Sequence, residues 1–243
     1  MGVMRLAIKY EIESLRATVV RVMEDSWPVT FSEWRQYRAY VESLVDEMNR
    51  KDEDLVDGRY LDDVLPEPAS AIRLARDFGI PSILPYAFSV LSMRNAQMEW
   101  DEVRANNPDL LVLGRSTARW PMLHVEEYRI LLHGKDVLAV RGGNLVTALQ
   151  KSDQLAKTIH ICPRTSCRTD LDRIVNGWKT RYFGHSLDPN RHSPSHPLRL
   201  LIELFDTRSD WELCKDCAKE LEKHLVALQK IEWDALEGVF KLT

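Results

Sequence analysis

Apolar residues recur at intervals of three and four positions near both ends of this chain, the spacing that places them on one face of a helix. Near the start, the stripe consists of Met4, Ile8, Ile12, Leu15, Val19 and Val22. Near the end, it consists of Leu213, Cys217, Leu221, Leu225, Leu228 and Ile231. Strand-like alternation is almost absent from the sequence, so we expect an all-α fold of amphipathic helices.

Local start and stop signals divide this helical pattern. Thr30 with Glu33 has the spacing of a capping box, which predicts a helix start. Ser209 with Glu212 has the same spacing and predicts the start of the last helix. Residues 125–133 are expected to form a helix that Gly134 ends, followed by a separate helix over residues 135–151.

A short pattern occurs twice, once in residues 5–15 and once in residues 73–83, at an offset of 68. It reads R-L-A-x-x-[YF]-x-I-x-S-[LI], which predicts a helix, a tight corner plugged by the isoleucine, and a second helix capped by Ser14 or Ser82. The chain is therefore predicted to be a multi-helix array of helical hairpins.

The four cysteines lie in the final third of the chain as two close pairs. Cys162 and Cys167 form one pair, Cys214 and Cys217 the other, and 46 residues separate the pairs. Four thiolates are the ligand set of a closed tetrahedral zinc site, which stabilises a fold and leaves no coordination position for catalysis. We therefore predict these four residues as ligands of one structural zinc ion. Buried free thiols explain the same pattern equally well, and a redox pair or disulfide is a third interpretation.

Other side chains in this part of the chain suggest two alternatives. Four histidines are candidate substitutes for a cysteine ligand, although each is more typical of a loop surface: His160, His185, His192 and His196. Residues 162–199 also hold seven basic and three acidic residues, with Trp178, Tyr182 and Phe183 interleaved. This stretch favours, as the alternative function, a zinc-dependent nucleic-acid-binding transcriptional regulator.

The whole-chain charge disfavours that alternative, because 33 basic and 37 acidic residues give a net charge of −4. No phosphate-binding glycine loop, nucleophile elbow or H-E-x-x-H motif occurs, so we expect no enzyme activity. No apolar run approaches the roughly 20 residues that span a bilayer, and the first residues lack the pattern of a signal peptide. We expect an intracellular protein, in the cytoplasm or nucleus, with reduced cysteines.

Several ordered motifs carry a family resemblance. Residues 5–16, R-L-A-I-K-Y-E-I-E-S-L-R, look like the closing helix pair of the BTB/POZ fold. Residues 71–88 and 118–135 resemble the helical region that follows BTB in a large fungal family of BTB-domain-containing proteins. The C-P-R-T-S-C-R of residues 162–168 and the L-C-K-D-C of residues 213–217 are similar to that family's cysteine motifs.

The resemblance implies a division of the chain into three parts. Residues 1–25 correspond to the C-terminal helix pair of a BTB/POZ domain, residues 26–150 to a helical extension, and residues 151–243 to a cysteine-containing helical subdomain. The BTB sheet and its earlier helices are expected to precede residue 1, so the chain is expected to be a fragment or a short product. No adaptor residue is carried over.

The function implied is a non-enzymatic protein–protein interaction module, an adaptor or scaffold of the kind that brings substrates to ubiquitin ligation. The apolar face that would pack on the absent sheet is expected to be exposed and to promote self-association. Its residues are Met4, Ile8, Leu15 and Val19. The protein partner is not identified by the sequence.

Overall fold

The computed structural model describes residues 10, 12–51, 54–150, 162, 164, 166–183 and 196–242. Over these residues the chain is helical, with two isolated bridges and no strand. The α-helices are α1 Glu13–Ser26, α2 Phe31–Lys51, α3 Leu61–Val64, α4 Pro68–Phe78, α5 Leu84–Ser92, α6 Trp100–Asn106, α7 Asp109–Val112, α8 Val125–Gln150, α9 Ser166–Phe183, α10 Pro197–Asp206, α11 Lys215–Asp234 and α12 Leu236–Val239. The all-α prediction is confirmed.

The described residues pack into two compact units. The N-terminal unit comprises those within Met1–Leu132 together with Leu236–Thr243, and the cysteine unit comprises those within His133–Ala235. The three segments drawn from the family resemblance stay a prediction, since packing alone does not test them. None of the described helices combines the length and apolarity needed to cross a membrane.

The start of α2 shows the predicted capping box in full. The Glu33 backbone N–H donates to Thr30 Oγ1 at 3.2 Å, and the Thr30 N–H donates to Glu33 Oε2 at 3.0 Å. The two side chains thus satisfy amides that the first helical turn leaves without partners. Before this box, α1 ends at Ser26, and Trp27 is buried with 4% of its surface exposed.

The predicted hairpin over residues 73–83 is present as α4, a corner and α5. α4 ends at Phe78, Gly79 takes the left-handed conformation at φ 66°, and Ile80 is buried in the corner. The predicted cap by Ser82 is wrong, because its hydroxyl donates instead to Glu24 Oε1 at 2.7 Å. In the first copy, residues 5–9 and 11 lie outside the described part of the chain.

Ser14 does not cap the corresponding helix in that first copy. It lies within α1, and the residue before the helix is Ile12, which makes no side-chain cap. α1 has no fully buried residue: Leu15 and Val19 of the predicted apolar face are half-buried, while Met4 and Ile8 lie outside the described residues.

The predicted break at Gly134 is wrong, since α8 runs without interruption from Val125 to Gln150. Its stripe of Leu131, Leu138 and Leu145 is buried at intervals of seven. Each helical glycine costs about 1 kcal/mol relative to alanine, whereas burying one leucine contributes about 2 kcal/mol. The buried stripe therefore outweighs the glycines.

The last long helix begins later than predicted. Thr207–Asp210 forms a 3-10 turn, and α11 starts at Lys215 after an N-cap at Cys214. Ser209 and Glu212 therefore do not start this helix, and Glu212 Oε2 accepts a hydrogen bond from Arg173 Nη2 at 3.0 Å. Leu221 and Leu225 of the predicted stripe are fully buried, whereas Ile231 is 56% exposed.

Candidate metal centre

The structure brings together the four cysteines from three segments of the cysteine unit. Cys162 precedes α9, and Cys167 is the second residue of that helix. Cys214 is the N-cap of α11 and Cys217 lies in its first turn. A turn brings the first pair together, since the Cys167 N–H donates to the Arg164 carbonyl at 3.2 Å. The two close cysteine pairs, which 46 residues separate in the sequence, therefore meet at one point in the fold.

The four sulfur atoms are spaced as ligands of a single ion. They lie within 4.8 Å of one another, and the Sγ atoms of Cys162 and Cys214 are 3.6 Å apart. Metal–sulfur bonds of about 2.3 Å in tetrahedral geometry place sulfurs about 3.8 Å apart. All four cysteines are free thiols, so the disulfide of the third interpretation is not formed. The cluster can hold a metal ion with little rearrangement.

The four thiols differ in burial. Cys167 and Cys217 are buried, at 0% and 3% exposure, and belong to the apolar core of the cysteine unit. That core also contains Leu171, Leu221 and Trp211. Cys162 and Cys214 are half-buried and pack against the edge of the core. The quartet therefore has one dry side and one side nearer to solvent.

Backbone amides stabilise negative charge on two of the sulfurs. The Cys214 N–H donates to Cys167 Sγ at 3.4 Å, and the backbone N–H of Cys217 helps to lower the pKa of Cys214 to about 7. This amide belongs to the first turn of α11, where the helix dipole also favours a thiolate. Cys214 therefore ionises more readily than an ordinary cysteine.

The two buried thiols, Cys167 and Cys217, resist ionisation when no cation is bound. Burial and the neighbouring thiols raise the pKa of Cys217. The amide of Cys214 lowers the pKa of Cys167, but burial and the adjacent thiols raise it by more. Four thiolates this close repel one another, and a divalent cation at their centre removes that repulsion. The site is thus suited chemically to a soft metal cation.

The histidines do not join this cluster in the described part of the chain. His196 is the buried N-cap of α10, and its Nδ1 accepts a hydrogen bond from the Arg199 N–H at 3.4 Å. Burial, together with the positive charge of Arg199, lowers the pKa of His196 to about 3. His160, His185 and His192 lie outside the described residues. The donor set observed is thus four sulfurs.

The basic stretch predicted for nucleic acid is described only in part. Within it, Arg173 pairs with Asp170 and Glu212, and Arg199 pairs with Glu203. Carboxylates thus neutralise these two guanidinium groups. The side chains of Trp178, Tyr182 and Phe183 lie outside what the structure describes.

Trp211 is a neighbour of the site that the spacing of the cysteines does not predict. Its indole is buried in the same apolar core as Cys167 and Cys217. Its Nε1 has no hydrogen-bond partner among the described residues. The only sequence signal is its place three residues before Cys214, where an aromatic side chain can cover a cysteine pair.

Comparison of the chain with family models, curated proteins and solved structures finds no match. The resemblance to fungal BTB-domain-containing proteins therefore stays a prediction. The interpretation of the cysteine quartet rests on its geometry.

Proposed function

We propose that the chain is a non-enzymatic protein–protein interaction module whose cysteine unit is stabilised by one structural zinc ion. The observation that supports the zinc site is the convergence of Cys162, Cys167, Cys214 and Cys217 within 4.8 Å. Adaptor or scaffold activity is the role that the BTB resemblance implies for such a module.

Zinc is the ion that best fits an all-sulfur tetrahedral set of this size. Thiolates are soft ligands, and four of them fill the coordination sphere of zinc and leave no position for water or substrate. Iron–sulfur clusters distribute four cysteines over two or four irons bridged by inorganic sulfide, which places sulfurs on different irons further apart than the 4.8 Å seen here. The ion therefore has a stabilising role and no catalytic one.

The stabilisation comes from tying two distant segments together. An ion bound to both pairs closes the 46-residue excursion between Cys167 and Cys214. By the cross-link estimate, a loop of this size is worth about 4 kcal/mol. The dry side of the site adds to this, because Cys167 and Cys217 anchor the ion inside the core of the cysteine unit.

Cobalt titration tests the tetrahedral site. We expect Co²⁺ added to the reduced, metal-free chain to develop the absorption of tetrahedral thiolate cobalt, saturating at one equivalent, and Zn²⁺ to displace it. His196→Asn, which preserves an N-cap, is the matched control and should bind cobalt in the same way. An octahedral cobalt spectrum would contradict the proposal.

The proposed interaction surface includes α1, an amphipathic helix without a fully buried residue. Leu15 and Val19 are half-buried and Val22 is 56% exposed. Apolar side chains in such a row favour docking against another apolar helix or sheet. This face is proposed to support self-association of the chain, and the other two residues assigned to it by the sequence, Met4 and Ile8, lie outside the described residues.

Sedimentation velocity tests this surface over a range of protein concentrations. We expect the parent chain to associate and Val19→Glu to shift it towards monomer, because the charge would be buried in the contact. Ala17→Glu is the matched control, since Ala17 lies on the exposed side of α1 and should leave association unchanged. A parent that stays monomeric at every concentration contradicts the self-association.

A further inference from the structure

The four sulfurs of the cluster fall into two chemically different pairs. Cys162 and Cys214 are half-buried at the edge of the core, and their Sγ atoms lie 3.6 Å apart. Cys167 and Cys217 are buried within helices among apolar side chains. Small oxidants therefore reach the first pair far more readily than the second.

We propose that Cys162 and Cys214 are an oxidation site that controls the metal centre: a peroxide joins them in a disulfide, and the ion is released. The inference rests on the proposed zinc-binding function and adds a regulatory reaction to the same site. The substrate of this oxidation site is a hydroperoxide, which acts as a two-electron oxidant.

The reaction proceeds in two balanced steps. The Cys214 thiolate attacks one peroxide oxygen, the O–O bond breaks, and a sulfenic acid forms while hydroxide leaves. The Cys162 thiolate then attacks the Cys214 sulfur, the S–O bond breaks, and a second hydroxide leaves as the S–S bond forms. Two electrons pass from the two sulfurs to the peroxide. Once Cys162 and Cys214 are joined, only Cys167 and Cys217 would remain as ligands for the ion.

The positions of the two residues favour this pairing over the others. A disulfide requires a sulfur separation of about 2.05 Å, so the observed 3.6 Å must shorten. Cys162 precedes α9 and Cys214 is an N-cap, so neither lies in the interior of a helix. Movement of Cys167 or Cys217 would instead disturb the packed core that contains Leu171 and Leu221.

The experiment follows zinc release and thiol oxidation together in the full zinc-loaded chain. Hydrogen peroxide is added in the presence of a chromophoric zinc chelator, and free thiols are counted before and after. Because the chain has four cysteines, we expect two thiols to remain per zinc released. Peptide mapping should identify the Cys162–Cys214 disulfide, and dithiothreitol with added zinc should restore the parent state.

Cys162→His is the matched variant, because histidine keeps a zinc ligand but forms no disulfide. Expressed as a fraction of the zinc that the variant itself holds, release under the same peroxide should be at least tenfold slower. A zinc-loaded parent that keeps its ion on oxidation, or forms a different disulfide, contradicts this inference alone. A parent that binds no zinc before oxidation contradicts the proposed function and this inference with it.

Discussion

The backbone N–H of Cys214 donates a hydrogen bond to the sulfur of Cys167 at 3.4 Å, across 47 positions of the chain. The bond links the start of α11 to the start of α9 and orients one sulfur of the quartet. Amide donors of this kind hold metal ligands in place and reduce the charge that a thiolate presents to its neighbours. Part of the metal centre is therefore organised by the backbone.

The pKa of His196 predicts a loss of stability in acid. Because burial lowers this pKa to about 3, from an ordinary value of 6.5, the unfolded chain takes up the proton first as the pH falls. The contribution to stability is complete above pH 6.5 and decreases from there towards pH 3. At pH 5 the loss is about 2 kcal/mol, measurable by urea denaturation.

His196→Asn supplies the control for this pH dependence. Asparagine also caps helices but does not titrate, so the variant should show a shallower fall in stability between pH 6.5 and pH 5. Burial also lowers the pKa of His224, so some slope will remain, and the difference between the two proteins isolates His196. Parallel curves for parent and variant would refute the assignment.

Two glycines are predicted to respond to alanine in opposite directions. Gly79→Ala places a Cβ on a residue at φ 66° and should cost about 1 kcal/mol or more. Gly143→Ala in α8 meets nothing within 4 Å of the added Cβ and should stabilise by about 0.5–1 kcal/mol. Thermal unfolding measures both, and equal signs for the two substitutions would be inconsistent with this geometry.

A buried polar network in the N-terminal unit is predicted to be sensitive to Asp62. Its Oδ2 accepts hydrogen bonds from the Thr117 N–H at 3.1 Å and from Arg104 Nη2 at 3.3 Å, and Asp62 is only 7% exposed. Asp62→Ala leaves the Thr117 N–H without this acceptor, while Arg104 keeps Asp63 as a partner, and should cost about 1–3 kcal/mol. Chemical denaturation measures the loss.

The matched control for this network is Asp101→Ala. Asp101 forms a 4.0 Å ion pair with Arg119, and its side chain is 78% exposed. An exposed pair of this kind contributes little, so the change should stay within about 0.5 kcal/mol. Similar losses for Asp62→Ala and Asp101→Ala would show that burial does not determine the effect.

Local sequence signals predicted the helices well but their boundaries less well. Thr30 and Glu33 form the predicted box, and Glu33 Oε2 also accepts a hydrogen bond from the neighbouring Val29 N–H at 2.9 Å. Ser209 and Glu212 have the same spacing, yet Glu212 pairs with Arg173, which lies 39 positions away. Such a competing partner cannot be recognised from spacing. The hydrogen bond between the Thr117 N–H and Asp62 could not be predicted either, because the two residues lie 55 positions apart and no local pattern pairs them.

The cysteine spacing predicted which residues meet, but it left the state of the sulfurs open. Two close pairs make convergence favourable whether the pairs bind an ion or pack as thiols. Only the sulfur separations distinguish a disulfide from the free cluster, and those depend on where α9 and α11 begin. The contrast between buried Cys167 and half-buried Cys162 also emerges from packing alone.

Elemental analysis of the purified full chain tests the central claim most directly. We predict about one zinc ion per chain in the parent, the same content in His196→Asn, and none in the double variant Cys214→Ser with Cys217→Ser. A parent chain without metal, with four thiols that react freely after purification under reducing conditions with zinc present, would contradict the account.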